Sequence, residues 1–334
     1  MSFNQFILRE QYQKVRGLGD WLVLMKEQIN WGPFVPLVKG VFHDDKIVGG
    51  RPHTDELVVV RSMLLQSWYG LSDEELEYQC HDRLSFRNFL GFPESVPDFS
   101  TIWKIRDKLN QNNIDALIWN ELQSQLDKKG YEIKKGVVQD ASFIEADLGR
   151  KRYYKEKKAE KRGEKITYTE KQTQHIDKDG TFSVKHGQVH YGYKNHIKLD
   201  VGHTLIRDYE VTTASLHDGE IDLVKNGDGS AYRDKGYYGK KLHAKNVKDN
   251  TMKRAARGHP LVEREKKRNR AISSIRSPGE RPFSVIKKVF HGGTTRAKTL
   301  ARVSIKEMFN NFAFNLYQLV TLERRKLAKA LKIC

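Results

Sequence analysis

The stretch YGYKNHIKLDVGHTLIRDYEVTT, residues 191–213, decides the fold of the second half of the chain. Two β-rich runs, Tyr191–Asp200 and Leu205–Thr213, flank a turn that contains glycine, and this pattern predicts a β-hairpin. Shorter strands are predicted on either side of it, at Val137-Val138 and at Ser230–Asp234, and the last fifty residues have a helical pattern. Strands interleaved with helices indicate an α/β or α+β domain.

The part of the chain before residue 136 carries helical patterns only. A mostly buried helix is predicted to begin at Thr54 and Asp55 and to end at Gly70. The segment FPESVPDFS, residues 92–100, is the clearest linker, and Ser100 is a candidate cap for the helix that follows. We therefore expect a helical N-terminal region, a helical connector and a second domain, at residues 1–95, 96–135 and 136–334.

The charge of the chain is strongly asymmetric. Its 334 residues hold 60 Lys and Arg against 42 Asp and Glu, a net charge of +18. Residues 1–100 are mildly acidic, with a net charge of −4, whereas residues 101–334 have a net charge of +22. Such an excess favours a polyanionic partner, and nucleic acid is the first candidate. The alternative is a basic surface that is merely solvated.

Other classes of protein are disfavoured by composition. Two cysteines, Cys80 and Cys334, are too few for a disulfide framework or a cysteine-based zinc site. The longest uncharged run, residues 308–322, is too short and too polar to cross a bilayer. The N-terminus lacks the apolar segment of a signal peptide. We therefore expect a cytoplasmic protein without a membrane partner.

Three acidic residues are candidates for catalysis. Asp140 follows the strand GVVQ, Asp234 ends the strand SAYRD, and Glu280 lies at the start of the helical segment SPGERPFSVIKK. Carboxylates at strand ends can converge with one from a neighbouring helix, and such oxygen ligands suit Mg²⁺ or Mn²⁺. Two such ions can cleave a phosphodiester.

Each residue also has a structural interpretation, as a turn or helix cap. Pro282 argues against a capping box around Glu280, because its ring would disturb that helix.

Two basic segments are candidates for DNA binding. One is an insertion at about residues 148–190, which opens with RKRYYKEKK and suits a flexible arm whose tyrosines stack on exposed bases. The other, residues 253–270, holds eight basic residues and precedes Glu280. A solvated face or a disordered arm is the alternative for both. The residues singled out are Arg150, Lys151, Arg152, Arg264, Lys266, Lys267, Arg268 and Arg270.

The whole pattern resembles the DDE transposases of the IS5 group of bacterial insertion sequences. QDASFIEA carries the first aspartate of that family at Asp140, RDKGYYGKK carries the second at Asp234, and ERPFSVIKKVF carries the glutamate at Glu280. The segments GGRPHTDELVVVRSMLLQSWYG and VPDFSTIWKIRDKL are similar to the N-terminal region of the same group.

Further positions match the C-terminal signature of the family. An arginine four residues before the glutamate and a lysine seven residues after it are Arg276 and Lys287 here, whereas the family's tyrosine is replaced by Ser273. Lys194 and His196 match a Lys-x-His of the family and alternate on a predicted strand, so both side chains face one side of it. The resemblance implies that these basic residues support the acidic triad, with contacts to phosphates. A hydrogen-bonded structural role is the alternative for Lys194 and His196.

The resemblance implies an α/β fold with an RNase H-like catalytic domain, a mixed sheet flanked by helices, over residues 136–334. Asp140 would lie on the first, central strand, Asp234 on the fourth strand beside it, and Glu280 on a later helix. The implied reaction uses Mg²⁺ or Mn²⁺, with two ions per site, to free a 3′-OH at the transposon end and join it to target DNA. The implied partners are double-stranded DNA, as terminal inverted repeats and target, and at least one further copy of the chain. The helical N-terminal region would bind the DNA end, dimerise, or do both.

Two other functions fit the same residues. A related nuclease would cleave DNA without strand transfer, and a catalytically inactive descendant of a transposase would only bind DNA. The complete set of three acidic residues disfavours the second alternative.

Overall fold

The structure, a computed structural model, describes residues 2–39, 41, 55–173, 175–185 and 187–330. Thr54, Cys334 and the segment GGRPHT lie outside the described residues. Within them, Cys80 is a buried free thiol. None of the helices in the described ranges combines the length and apolar character needed to cross a membrane.

Eight helices precede the sheet within the described ranges. The carboxylate of Asp55 accepts a hydrogen bond from the Leu57 amide and caps the start of the fourth helix. As predicted, that helix ends at Gly70, which has a left-handed φ of 63°. Asp98 rather than Ser100 caps the seventh, because its carboxylate accepts from the Thr101 amide at 2.6 Å. The bounds are α1 Phe3–Gly17, α2 Trp21–Lys26, α3 Phe34–Lys39, α4 Glu56–Tyr69, α5 Asp73–Asp82, α6 Leu84–Leu90, α7 Phe99–Gln111 and α8 Ile114–Lys128.

One mixed sheet follows. Its strands are β1 Val137–Ala146, β2 Thr181–Lys185, β3 Gln188–Asp200, β4 Ile206–Thr213, β5 Ser230–Arg233, β6 Lys248–Thr251 and β7 Thr294–Thr295. The predicted hairpin is present as the antiparallel pair β3–β4. On its other edge β3 pairs antiparallel with β1, and β1 pairs parallel with β5 and with β7. β6 extends the sheet beside β5, also parallel.

Five more helices complete the second half of the described chain. They are α9 Arg150–Glu160, α10 Glu170–Thr173, α11 Glu263–Arg276, α12 Glu280–Lys288 and α13 Leu300–Ala330. A 3₁₀ turn, Ser277–Gly279, joins α11 to α12. Gly279 lies against Val138 of β1, so this helical segment covers one face of the sheet. The opposite face is covered by the irregular chain between β4 and β6, where the Gln139 amide donates to the Ile221 carbonyl at 2.7 Å.

The N-terminal helices and the sheet domain share one hydrophobic core around α13. The indole N–H of Trp68 in α4 donates to the carbonyl of Ala313 at 3.0 Å, and Trp31 contacts Phe312. The division at residues 1–95, 96–135 and 136–334 therefore follows the order of the chain and does not separate independent cores.

The insertion at 148–190 is folded, contrary to the prediction of a flexible arm. Its helix α9 packs through Tyr153 on Phe182 of β2, which contacts Tyr191 of β3. The Asp179 carboxylate accepts a hydrogen bond from the Leu300 amide at 2.8 Å, at the first residue of α13. A few aromatic and carboxylate contacts thus replace the apolar core that this segment lacks.

Candidate active site

The two predicted aspartates lie beside each other on the sheet. Gln139 of β1 is the register partner of Arg233, the last residue of the parallel strand β5, so Asp140 is next to Asp234, the first residue after β5. β1 continues to Ala146, so Asp140 lies within the strand and not after its end. β5 is the fifth strand in chain order, because the insertion contributes β2 before it. The pairing alone brings the two carboxylates to one place on the sheet.

The carboxylate of Asp140 is partly buried and carries its own counterion. The Arg276 guanidinium, on the last residue of α11, donates to Asp140 Oδ2 at 2.8 Å. Burial raises the pKa of Asp140, the charge of Arg276 opposes that rise, and the carboxylate of Asp234 adds to it. Mutual repulsion of this kind between adjacent carboxylates is relieved when a cation binds both.

Asp234 is held by the turn that it begins. Its Oδ1 accepts a hydrogen bond from the Gly236 amide at 2.6 Å, which caps a 3₁₀ turn over Lys235–Tyr237. The preceding side chain, Arg233, is fully buried and donates to Asp249 at 3.0 Å and to the Lys240 carbonyl at 2.9 Å. Arg233 therefore connects β5, β6 and the chain after Asp234 at a site where buried polar groups need partners.

Glu280 begins α12 and is exposed. Pro282 is the third residue of this helix, where its missing N–H costs no intrahelical hydrogen bond, so the helix begins at Glu280 and no Ser277 capping bond forms. The described residues contain no cluster of three or more His, Cys, Asp or Glu placed to hold a metal ion. The structure thus brings Asp140 and Asp234 together and leaves Glu280 nearby, one residue after the glycine that contacts Val138.

Lys287 lies further along the same face of the sheet. It lines a small cavity with Ser142, two residues after Asp140 on β1, and with Glu307 of α13. Burial lowers the pKa of the Lys287 ammonium, whereas the charges of Glu145 and Glu307 raise it. Arg276 and Lys287 therefore both border the surface on which Asp140 lies.

Lys194 and His196 face the opposite side of the sheet. They pair across β1 with Phe143 and Ala141, which alternate with Asp140. The Lys194 ammonium donates to the carboxylate of Asp218 at 2.7 Å, and the His196 ring bonds the Thr212 hydroxyl at 2.9 Å. Burial lowers the pKa of His196 to about 4. The prediction that both face one side is confirmed, and each side chain is hydrogen-bonded within the protein.

The remaining basic candidates are divided between two helices. Arg264, Lys266, Lys267 and Arg270 are exposed on α11, whereas Arg268 donates to the Thr251 carbonyl at 2.8 Å. The first turn of α9 contains Arg150, Lys151 and Arg152. Arg268 is thus engaged within the protein, and four of the five candidates on α11 are accessible to a polyanion.

Sequence reasoning missed two side chains near the aspartates. Tyr237 is almost fully buried; this burial, together with the charges of Asp140, Asp218 and Asp234, raises the pKa of its hydroxyl. Lys185 ends β2, and its charge lowers the pKa of Asp140. The sequence could not indicate Lys185, because only the pairing of β2 with β3 brings it close to β1, where its ammonium lies 5.8 Å from the centre of the Phe143 ring.

A mixed sheet with two carboxylates side by side on parallel strands, next to an exposed basic helix, defines a class of α/β protein suited to chemistry on a phosphate polyanion. Residues 135–316 match the family described as Transposase DDE domain, and residues 9–108 match the one described as Transposase domain (DUF772). The first match spans more than half of the chain, so the protein belongs to the DDE transposase family. It is therefore an enzyme that catalyses phosphoryl transfer on DNA. No solved structure matched the chain.

Proposed function

We propose that this protein is a transposase of the IS5 group, with an RNase H-like catalytic domain, that cleaves DNA at transposon ends and joins the freed 3′-OH to target DNA. The observation that carries the proposal is the juxtaposition of Asp140 and Asp234 on β1 and β5. The strand order β4-β3-β1-β5-β6, with three antiparallel strands followed by parallel ones, supports the RNase H-like assignment.

The side chains at this site are of the chemical type that binds a divalent metal ion. Hard carboxylate oxygens are the ligands that Mg²⁺ and Mn²⁺ prefer, and Asp140 and Asp234 already interact. Asp140, Asp234 and Glu280 would hold the metal, in our proposal two ions. When bound, the ions would activate the attacking oxygen and stabilise the leaving oxygen. The Glu280 carboxylate forms no hydrogen bond or ion pair with another described residue, so this side chain is free to turn toward the aspartates.

The protein's own residues would hold the DNA in line for this reaction. Arg276, on the Asp140 side of α11, balances the charge of the carboxylates before DNA arrives and is placed to contact a phosphate afterwards. Lys287 borders the same face, and the exposed side of α11 extends the positive surface. Contacts of this type bind the backbone with little regard to sequence, so recognition of terminal inverted repeats is assigned to the helical N-terminal region.

The joining reaction determines the smallest number of subunits in the assembly. Two transposon ends must be joined to one target, so we assign at least a dimer on double-stranded DNA, in the bacterial cytoplasm. The same helical N-terminal region is a candidate for the dimer contact, because the net charge of −4 over residues 1–100 disfavours an extended DNA surface.

The proposal is tested with purified protein, DNA that carries the ends of the element, and Mg²⁺ or Mn²⁺. We expect cleavage at the ends and joined products, both abolished in Asp140→Asn and in Asp234→Asn. Asp147→Asn, which removes a nearby exposed carboxylate outside the strand, is the matched control and should retain both activities. Cleavage without joined products would favour the nuclease, and wild type and Asp234→Asn binding DNA alike without any products would favour the inactive descendant.

A further inference from the structure

A buried acid lies beneath the Asp140 face, the side of the sheet that carries Asp140. It is Glu307 of α13, which is 1% exposed. Its Oε2 accepts a hydrogen bond from the Asn195 side chain of β3 at 3.2 Å, and its Oε1 accepts one from the Asn310 side chain at 3.0 Å. Burial of an acid costs free energy, and the reaction proposed above does not use this carboxylate.

A cavity of about 10 Å³ lies between Glu307 and Lys287 of α12. Its walls also contain Asn195 and its register partner Ser142, which is two residues after Asp140 on β1. Glu307 and Asn195 are buried and Lys287 is exposed, so Glu307 lies at the floor of the cavity and Lys287 at its mouth. This space is enough for one water molecule, and the polar side chains around it supply the partners that such a water needs.

The stem of Lys287 is held by the turn that follows α12. A Cβ atom at Gly293 would lie 3.1 Å from Cγ of Lys287 and 3.6 Å from its Cδ, so the stem lies against the backbone of this glycine. The end of the side chain, which carries the ammonium group, keeps its freedom to turn between the cavity and the solvent.

The charges of Lys287 and Glu307 act on each other across the cavity. Burial lowers the pKa of the Lys287 ammonium, and the charges of Glu145 and Glu307 oppose this shift, whereas the charge of Lys185 adds to it. Burial raises the pKa of Glu307 to about 7, and the charges of Lys306 and Lys287 oppose that rise. Glu307 therefore favours the charged form of Lys287, the form that binds a phosphate.

We propose that Glu307 is a positioning residue of the active site: across the cavity, and through one water held in it, the Glu307 carboxylate orients the Lys287 ammonium on the Asp140 face for contact with a DNA phosphate. This inference rests on the proposed function, which places Lys287 against the DNA. Glu307 itself does not touch the DNA, because it is buried. An ammonium that is oriented beforehand loses less side-chain entropy when the phosphate arrives.

The first test needs no DNA and measures the reactivity of individual lysines by competitive acetylation and mass spectrometry. Glu307→Gln removes a negative charge near Lys287, so the uncharged, reactive fraction of Lys287 should rise about fivefold at about pH 8. The exposed Lys288 is the internal reference in every sample. Glu323→Gln, which changes an acid of α13 that bonds Tyr131, is the matched control and should leave Lys287 unchanged. Equal reactivity of Lys287 in wild type and Glu307→Gln would overturn the inference.

The second test asks whether Glu307 acts through Lys287. At about pH 8 Glu307 is charged, and Glu307→Gln should lower the rate of end cleavage at saturating DNA about tenfold, as should Lys287→Gln. Both changes remove the same phosphate contact, so the double variant should be no slower than Lys287→Gln. Losses that multiply to about 100-fold in the double variant would overturn the inference, because they would indicate an independent structural role for Glu307.

The pH profile separates positioning from folding. Loss of the Glu307 charge lowers the pKa of Lys287, so the basic limb of the cleavage rate should move to lower pH in Glu307→Gln. A basic limb at the wild-type position would overturn the inference. Glu307→Gln keeps the size of the side chain and removes a buried charge, so its melting temperature at about pH 8 should not fall below that of wild type.

The failure of this inference can be told apart from the failure of the proposed function. Wild-type protein that does not cleave transposon ends would overturn the proposed function, and the acetylation test would still decide whether Glu307 and Lys287 are coupled. Cleavage by wild type, with Glu307→Gln equally fast, would overturn only the role of Glu307.

Discussion

At the scale of single residues, the proposed active site contains a carboxylate whose charge is balanced from another element. Asp140 belongs to β1 and Arg276 to the end of α11, and 135 residues separate them in the chain. The resemblance to the family indicated both residues, but only the fold shows that they contact each other. The guanidinium occupies one oxygen of a carboxylate that the proposed reaction needs.

Replacing Arg276 should alter the pH dependence of catalysis. Arg276 lowers the pKa of Asp140, so Arg276→Gln leaves that pKa higher, and Asp140 must lose its proton before it can hold a metal. We expect the acidic limb of the cleavage rate to move to higher pH and the rate at neutral pH to fall about 100-fold. Arg276→Lys keeps the charge and should move the limb less. An acidic limb at the wild-type position in Arg276→Gln would contradict this assignment.

At the scale of elements, α13 carries a buried acid into the core. Glu307 is buried beneath β3, where its carboxylate accepts hydrogen bonds from Asn195 at 3.2 Å and from Asn310 at 3.0 Å. Burial raises the pKa of Glu307 to about 7, against the opposing charges of Lys306 and Lys287. The sequence around Glu307 has the pattern of an ordinary amphipathic helix, so a buried acid was not predicted at this position.

The stability of the protein should therefore fall as the pH rises through 7. The pKa of Glu307 in the folded state is above its ordinary value of 4.5. The stabilisation that protonated Glu307 gives to the fold is therefore complete below pH 4.5 and is lost as the pH rises through 7. The loss is about 3 kcal/mol. We expect Glu307→Gln to flatten the change of melting temperature between pH 5 and pH 8. Glu323→Gln, on the same helix but with a lowered pKa, should keep the wild-type slope in this window.

The strands show how much of the sheet the periodicity of the sequence predicts. The β3–β4 hairpin and β5 were predicted from alternation and turn residues, because those signals are local. The fold of the insertion was not, since α9 is strongly basic, and the contacts of Tyr153 with Phe182 and of Asp179 with the start of α13 join residues far apart in the chain. The convergence of Asp140 with Asp234 also depends on parallel pairing, which is non-local. The residues indicated only that carboxylates at strand ends can converge, and the family resemblance indicated that these two do.

At the scale of the whole molecule, the N-terminal helices and the sheet domain should unfold together. Trp68 of α4 bonds the Ala313 carbonyl within the shared core. Trp68→Phe leaves that buried carbonyl without its donor, at a cost of about 1 to 3 kcal/mol, and should lower one cooperative transition. Trp103→Phe, at an exposed site on α7, should cost about 1 kcal/mol or less. Two transitions in the thermal melt, with only one of them shifted, would contradict a shared core.

The exposed face of α11 should set the salt dependence of DNA binding. Replacing Arg264, Lys267 and Arg270 together by Gln removes up to three phosphate contacts, which reduces the slope of log K against log salt by up to about 2.7. The loss should be equal for duplexes of unrelated sequence. Lys128→Gln with Lys129→Gln, at the exposed end of α8, is the control and should leave the slope unchanged. A loss confined to one sequence would instead indicate base contacts from α11.

The folded insertion leaves and re-enters the sheet at adjacent points. Glu145, near the end of β1, is the register partner of Gly192 on β3, so everything between them forms a loop whose ends are already neighbours. Such a segment is a modular attachment: it can be lengthened, shortened or exchanged at little cost in chain closure, while Asp140 and its strand neighbours stay in place. Engineered insertions or deletions are therefore best placed there, since replacement of the N-terminal helices would open the core around α13.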